Sequence, residues 1–137
     1  MYHYSHMDIN YIAVGVAALA AFFLGYVWYS VLFTKQWQAI IGMNAGANRE
    51  NPPSMAKLLV GSLILQLVMA FNLAAFIGLD ADWLLGLIAG LAAGFGWVSL
   101  AFGVSYMFEG RPFKLWLINA GYNTVSFGIM GLIIGAM

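Results

Sequence analysis

Charge is what this sequence has least of. Five basic and five acidic residues make up 7% of the 137, where soluble domains carry roughly 25%. Too little polar surface is available to coat a water-facing globule. The charges cancel and form no dense basic run, which argues against nucleic acid as a partner. Cysteine is absent, so disulfides, thiolate chemistry and sulfur-ligated metals are excluded. No Ser/His/Asp or Cys/His set, phosphate-binding glycine loop or zinc-protease motif is present. Catalysis generally needs titratable groups held in a shielded pocket, and those here mostly fall in tails and connections. The expectation is a non-catalytic chain with no cofactor and no resident metal. His3-x-x-His6 lacks the further ligands a metal site needs. Asp80 and Asp82 read as the polar turn of a hairpin.

What the chain has in abundance is apolar surface: 64% hydrophobic residues and a mean hydropathy of +0.89. Apolar runs cover residues 9–33, 56–78, 83–107 and 115–136. A helix crosses a hydrocarbon core of about 30 Å with about 20 residues, and each run is that long. Lys57, at the extreme start of the second, is the only charged residue in any of them. Barrel strands would be about ten residues long and alternate in polarity, whereas these runs are apolar on all sides. Inside lipid, a helix satisfies its own backbone. The sequence therefore predicts an all-α, integral membrane four-helix bundle forming a single domain at 9–136. The lack of Asp, Glu, His, Lys or Arg at membrane depth argues against proton relays, voltage sensors and ion-coupled carriers.

Lys35, Arg49 and Lys57 flank the first connection, and Arg111 and Lys114 lie in the third. All five basic residues thus fall on one side, which the positive-inside bias assigns to the cytoplasm, with N- and C-terminus both outside. The expected location is the bacterial cytoplasmic (inner) membrane. Trp37, Trp83, Trp116, Tyr11 and Tyr106 fall near the ends of the runs, where an amphipathic ring keeps its polar edge wet. The first connection, 34–55, opens with an amphipathic segment from Lys35 to Ile41 expected to lie in the interface. Pro52-Pro53 stops any helix, and Ser54 can cap the next. Residues 1–8 read as a short tail in which Met7 is a candidate natural start. The apolar stretch behind it is too long for a cleaved signal peptide.

Small residues recur every four positions in three runs: Ala17, Ala21 and Gly25; Gly86, Gly90 and Gly94; Gly131 and Gly135. Such rows let helix backbones approach closely in lipid. They serve packing within one chain or build a homo-oligomer or larger membrane complex, and the sequence leaves both open. Polar residues are few. Asn119, Tyr122, Asn123 and Ser126 fall at helical spacing on one stripe of the fourth run. Gln66 and Asn72, with Ser62 one turn before Gln66, lie in the second, and Ser99 and Ser105 in the third. Hydrogen bonding between helices is the plain role for such residues; a cavity for a neutral molecule or lipid headgroup is the functional one.

Gly25-Tyr26-Val27-Trp28-Tyr29-Ser30-Val31-Leu32-Phe33-Thr34-Lys35-Gln36-Trp37 resembles the G-x-x-W-Y-S-P-x-x-F-x-K-x-W signature of domain-of-unknown-function family 1761, a mainly bacterial membrane family. The resemblance continues through Phe108-Glu109-Gly110-Arg111-Pro112 and Leu115-Trp116-Leu117-Ile118-Asn119-Ala120-Gly121-Tyr122. It implies a small multi-span membrane protein and no established activity. Val31 stands where the signature commonly has proline, which leaves open any kink at the end of the first run. Trp28 and Tyr29 sit at a depth comparable with Asn119 and Tyr122, so the aromatic pair is either an interface anchor or a wall facing the polar stripe. The function expected is that of a non-catalytic oligomeric or accessory subunit among membrane lipid. The alternative is a small channel or carrier for neutral solutes or lipids, using Asn119, Tyr122, Asn123, Ser126, Gln66, Asn72, Trp28 and Tyr29.

Overall fold

The computed structural model describes residues 9–37, 39 and 54–137. The tail with His3 and His6, Arg49, Pro52-Pro53 and, in the Lys35–Ile41 segment, Gln38, Ile40 and Ile41 lie outside these residues, while Lys35, Gln36 and Trp37 are helical. Four helices occupy the four apolar runs: α1 (Tyr11–Leu32), α2 (Met55–Ile77), α3 (Trp83–Glu109) and α4 (Phe113–Ala136), each long and apolar enough to cross a membrane. No strand occurs among the described residues.

Side chains just before three of the helices hold their first turns. Asn10 Oδ1 accepts from the Ala13 amide at 3.1 Å, Ser54 Oγ from Lys57 at 3.1 Å and Asp82 Oδ1 from Leu85 at 2.8 Å. Each cap satisfies an amide that has no partner inside its helix, an effect of about 1 kcal/mol. α3 stops at Gly110, whose φ of 70° is left-handed, and the Arg111 amide turns back to the Tyr106 carbonyl at 3.0 Å. Pro112, which cannot donate from its nitrogen, then opens α4.

α4 is the central helix. It packs most extensively on α3 and next on α1, while α2 lies against α1 and meets α4 only lightly. Although consecutive, α2 and α3 diverge. Large side chains such as Phe23, Leu65 and Trp97 face outward, whereas the interior holds Ala13, Ala17, Ala18 and Ala21 of α1 with Ala70 and Ala74 of α2. With lipid outside, burying bulk brings little hydrophobic gain, and small residues that let helices approach are favoured instead.

The rows of glycines in α3 and α4 face each other within the chain. A Cβ placed on Gly86 would run into the Gly131 carbonyl, and one on Gly131 into the Gly86 carbonyl. At Gly90 it would overlap the Phe127 carbonyl and come within 3.1 Å of the Gly128 Cα; at Gly94 it would meet the Asn123 carbonyl at 2.7 Å. Gly135 lies equally close to the Asp82 carbonyl. Backbone therefore touches backbone along this seam.

Candidate intramembrane binding site

Two helices widen where they approach α4. At Trp28–Leu32 of α1 the turn opens to i→i+5 hydrogen bonding, with the Phe33 amide donating to the Trp28 carbonyl at 2.9 Å. A second wide turn spans Gly94–Ser99 of α3. Such turns free carbonyls and re-aim side chains, and they are frequent at functional sites. Neither contains proline, so the end of α1 widens even with Val31 in place of the signature's proline.

The first wide turn aims Trp28 and Tyr29 at α4. Trp28 Nε1 donates to the Ile118 carbonyl at 3.0 Å. Its indole lies where a Cβ on Gly121 would fall, 2.8 Å from Trp28 Cζ2, so only glycine leaves that slot open. Tyr29 donates its hydroxyl to Asn119 Oδ1 at 2.5 Å, and Asn119 Nδ2 donates to the Tyr106 hydroxyl at 2.8 Å. One amide thereby links α1, α4 and α3. Gln66 Nε2 donates to the Tyr122 hydroxyl at 2.7 Å, which donates in turn to the Ala21 carbonyl at 2.9 Å. Tyr122 occupies the gap left by Gly25, where a Cβ would stand 3.2 Å from its oxygen. The Tyr29 and Tyr122 rings are 5.4 Å apart. Asn119 and Tyr122 lie six and nine residues into α4, about 9 and 14 Å along its axis from the basic end.

The second wide turn is a separate polar knot. Ser99 Oγ lies 2.8 Å from the Gly94 carbonyl, 3.2 Å from that of Ala120 and 3.3 Å from Thr124 Oγ1. The Ser99 carbonyl accepts from Trp116 Nε1 at 2.7 Å. Trp116 thus serves α3 rather than only the interface, and Gly103 leaves room for its indole. Trp116→Phe is expected to leave this carbonyl without its donor and to lower stability by about 1–2 kcal/mol. A shift in the thermal midpoint in detergent checks this; an unaltered midpoint would count against the bond.

Between α1 and α2, beside the Tyr29–Tyr122 cluster, lies a cavity of about 670 Å³. Its apolar wall is Phe22, Phe23, Tyr26, Met55 and Leu59; Tyr29, Ser30, Ser62, Gln66 and Tyr122 make its polar part. Among the described residues no charged side chain lines it. Gln66 is 8% exposed, and its Oε1 is buried with no hydrogen-bond donor among the described residues.

The residues singled out in the sequence therefore divide. Trp28, Tyr29, Gln66, Asn119 and Tyr122 come together. Among the described residues Asn123 donates only to the Asn119 carbonyl in its own helix, at 2.8 Å, and Ser126 is buried against Tyr122 without lining this cavity. Asn72 lies on another face, in a groove with Phe76 and Trp97. Tyr106 was read only as an interface aromatic, and nothing in its spacing pointed to the Asn119 amide. Phe22 and Phe23 carried no signal beyond the general apolarity of the first run, and Tyr26 and Ser30 stood out only as part of the segment that resembles the family signature.

These features define a small multi-span membrane protein of four apolar helices with a polar cluster inside. Residues 12–135 match the family described as Protein of unknown function (DUF1761), and the chain belongs to it. No curated protein and no solved structure matches.

Proposed function

We propose that this is a non-catalytic integral membrane protein, of the bacterial cytoplasmic membrane, that holds a neutral lipid-like molecule between α1 and α2. Carriage of that molecule across the bilayer is the transport form of the same reading. The supporting observation is that Gln66 lines the cavity while its Oε1 is buried with no hydrogen-bond partner among the described residues. Leaving a buried acceptor unsatisfied costs about 1–3 kcal/mol, and a ligand donor removes that cost. The cavity is within the range of small-molecule sites, about 300–1,000 Å³.

Hydrogen-bond bookkeeping narrows the ligand. Tyr29 and Tyr122 already spend their only hydrogens on Asn119 and Ala21, which leaves the Ser30 and Ser62 hydroxyls as the side-chain hydroxyl donors of the described lining. Among the described residues no cation lines the cavity, so within this part of the lining a phosphate or carboxylate would be desolvated without compensation. A hydroxyl or N–H on an apolar body fits: it donates to Gln66 Oε1 while its chains lie against Phe22 and Phe23.

The test uses the purified protein in detergent with diacylglycerol and its O-methyl ether, which differ by one donor hydrogen. Diacylglycerol is expected to bind about tenfold more tightly, and Gln66→Leu should erase that preference while the thermal melt is retained. Equal affinity for the two lipids, or no binding of either, would discard the reading. A second role, as an oligomeric or accessory subunit with membrane lipid and other membrane proteins as partners, draws its support from the face that carries Asn72.

A further inference from the structure

The divergence of α2 from α3 leaves a groove of about 350 Å³ on a different face of the bundle from the cavity that Gln66 lines. Met69, Asn72 and Phe76 of α2, Ala93 and Trp97 of α3, and Phe127 of α4 line it. Ala89 and Ala92 continue the surface along α3. The Asn72 side chain is exposed here and has no hydrogen-bond partner among the described residues.

Its depth makes this costly. Counted from the end of α2, Asn72 is only five residues in, but α2 stops short of the surface reached by α3. Phe76, one residue from the end of α2, packs on Trp97 with ring centroids 5.7 Å apart, and Trp97 is fourteen residues into α3. The Asn72 neighbours Ala93 and Phe127 lie ten and nine residues from the corresponding ends of α3 and α4. That is about 15 and 14 Å of helix, close to the middle of a hydrocarbon core of about 30 Å. An amide at that depth has neither water nor a lipid headgroup within reach.

We propose that a second copy of this chain covers this face, packing across the α2–α3 groove so that the two Asn72 amides hydrogen-bond to each other about a twofold axis. The carboxamide carries a donor and an acceptor, so it complements itself, which is what a twofold interface requires of a residue on its axis. An acyl chain could fill the groove but would leave the amide unsatisfied. Ala89, Ala92 and Ala93 let the second copy approach closely. The glycine rows of α3 and α4 are not available for this purpose, since they face each other within one chain.

Because the chain has no cysteine, single cysteines report directly on the contact. Protein reconstituted in phosphatidylcholine vesicles should associate as a dimer when measured by single-molecule photobleaching over a range of dilutions. Ala89→Cys, beside the groove, should cross-link, whereas Leu19→Cys, exposed on α1, should not. Asn72→Leu is expected to weaken the dimer about fivefold or more, and Asn72→Gln, which keeps an amide, should recover part of it. A wild-type monomer at every dilution, cross-linking equal at both cysteines, or an unweakened Asn72→Leu dimer each overturns the proposal. The cross-linking uses the unaltered Asn72, so the outcome does not depend on whether Asn72→Leu folds.

Discussion

Replacing Gly90 by leucine is expected to prevent α3 and α4 from closing on each other. Most of the protein should be lost from the monodisperse fraction in mild detergent. The position admits no smaller accommodation: a Cβ alone would collide with the Phe127 carbonyl and crowd the Gly128 Cα. Overpacking against side chains costs about 1–3 kcal/mol because they can swing aside. Here the obstacle is the backbone of α4, which moves only if the whole seam from Gly86 to Gly135 opens. A penalty above roughly 3 kcal/mol follows, and Gly90→Ala should already lower the melting temperature clearly. Gly96 provides the control, since a Cβ there meets nothing within 4 Å. Gly96→Ala should be neutral or stabilising by up to about 1 kcal/mol, the ordinary preference of a helix for alanine. A Gly90→Leu protein that melted within a few degrees of the parent would show that the seam is not held by backbone contact.

The same seam shows what was legible in the sequence. Four helices could be read because lipid as solvent imposes a simple demand: about 20 residues with no unpaired charge, which only four stretches meet. The glycine and alanine periodicity marked faces able to approach closely, but spacing does not say which face meets which. That Gly86 opposes Gly131 depends on how α3 and α4 cross, and α4 lies at the centre because it presents small residues or polar partners on several sides. Hydropathy is almost uniform around these helices, so burial left no periodic signature of the kind a water-soluble helix carries.

The site was legible in part for a similar reason. Asn119 and Tyr122 could be placed on one stripe with Trp28 and Tyr29 at similar depth, since rise per residue fixes depth well. Rotation about the helix axis is less constrained, and the wide turns at Trp28–Leu32 and Gly94–Ser99 alter it locally. Gln66 and Asn72, six residues apart on the regular helix α2, stand about 120° apart around its axis and so line different faces. Rotation is also why Tyr106 reaches Asn119 and Trp116 reaches the Ser99 carbonyl, contacts that no motif announces.

Asn119 and Asn123, which share a stripe and a residue type, should behave very differently when changed to leucine. Asn119→Leu removes the acceptor of the Tyr29 hydroxyl and the donor to the Tyr106 hydroxyl in one step. Two phenols on two other helices then lose their partner, and the amide that joins α1, α4 and α3 is gone. Hydrogen bonds between membrane helices average about 0.6 kcal/mol each, because the unfolded chain in lipid also finds partners. Orphaned buried groups cost about 1–3 kcal/mol, so a total of about 1–3 kcal/mol is expected for Asn119→Leu. Asn123→Leu loses one bond to its own helix, where the Asn119 carbonyl keeps its usual place in the backbone ladder; a change below about 0.5 kcal/mol is expected. Reversible unfolding in mixed micelles measures both. A cycle with Tyr29→Phe isolates the Tyr29–Asn119 contact, since in the Asn119→Leu background the phenol has no partner left to lose. Equal losses for the two leucine variants would mean that the stripe acts through its general polarity. Unequal losses with a coupled Tyr29 would locate its strength in the one amide that three helices share.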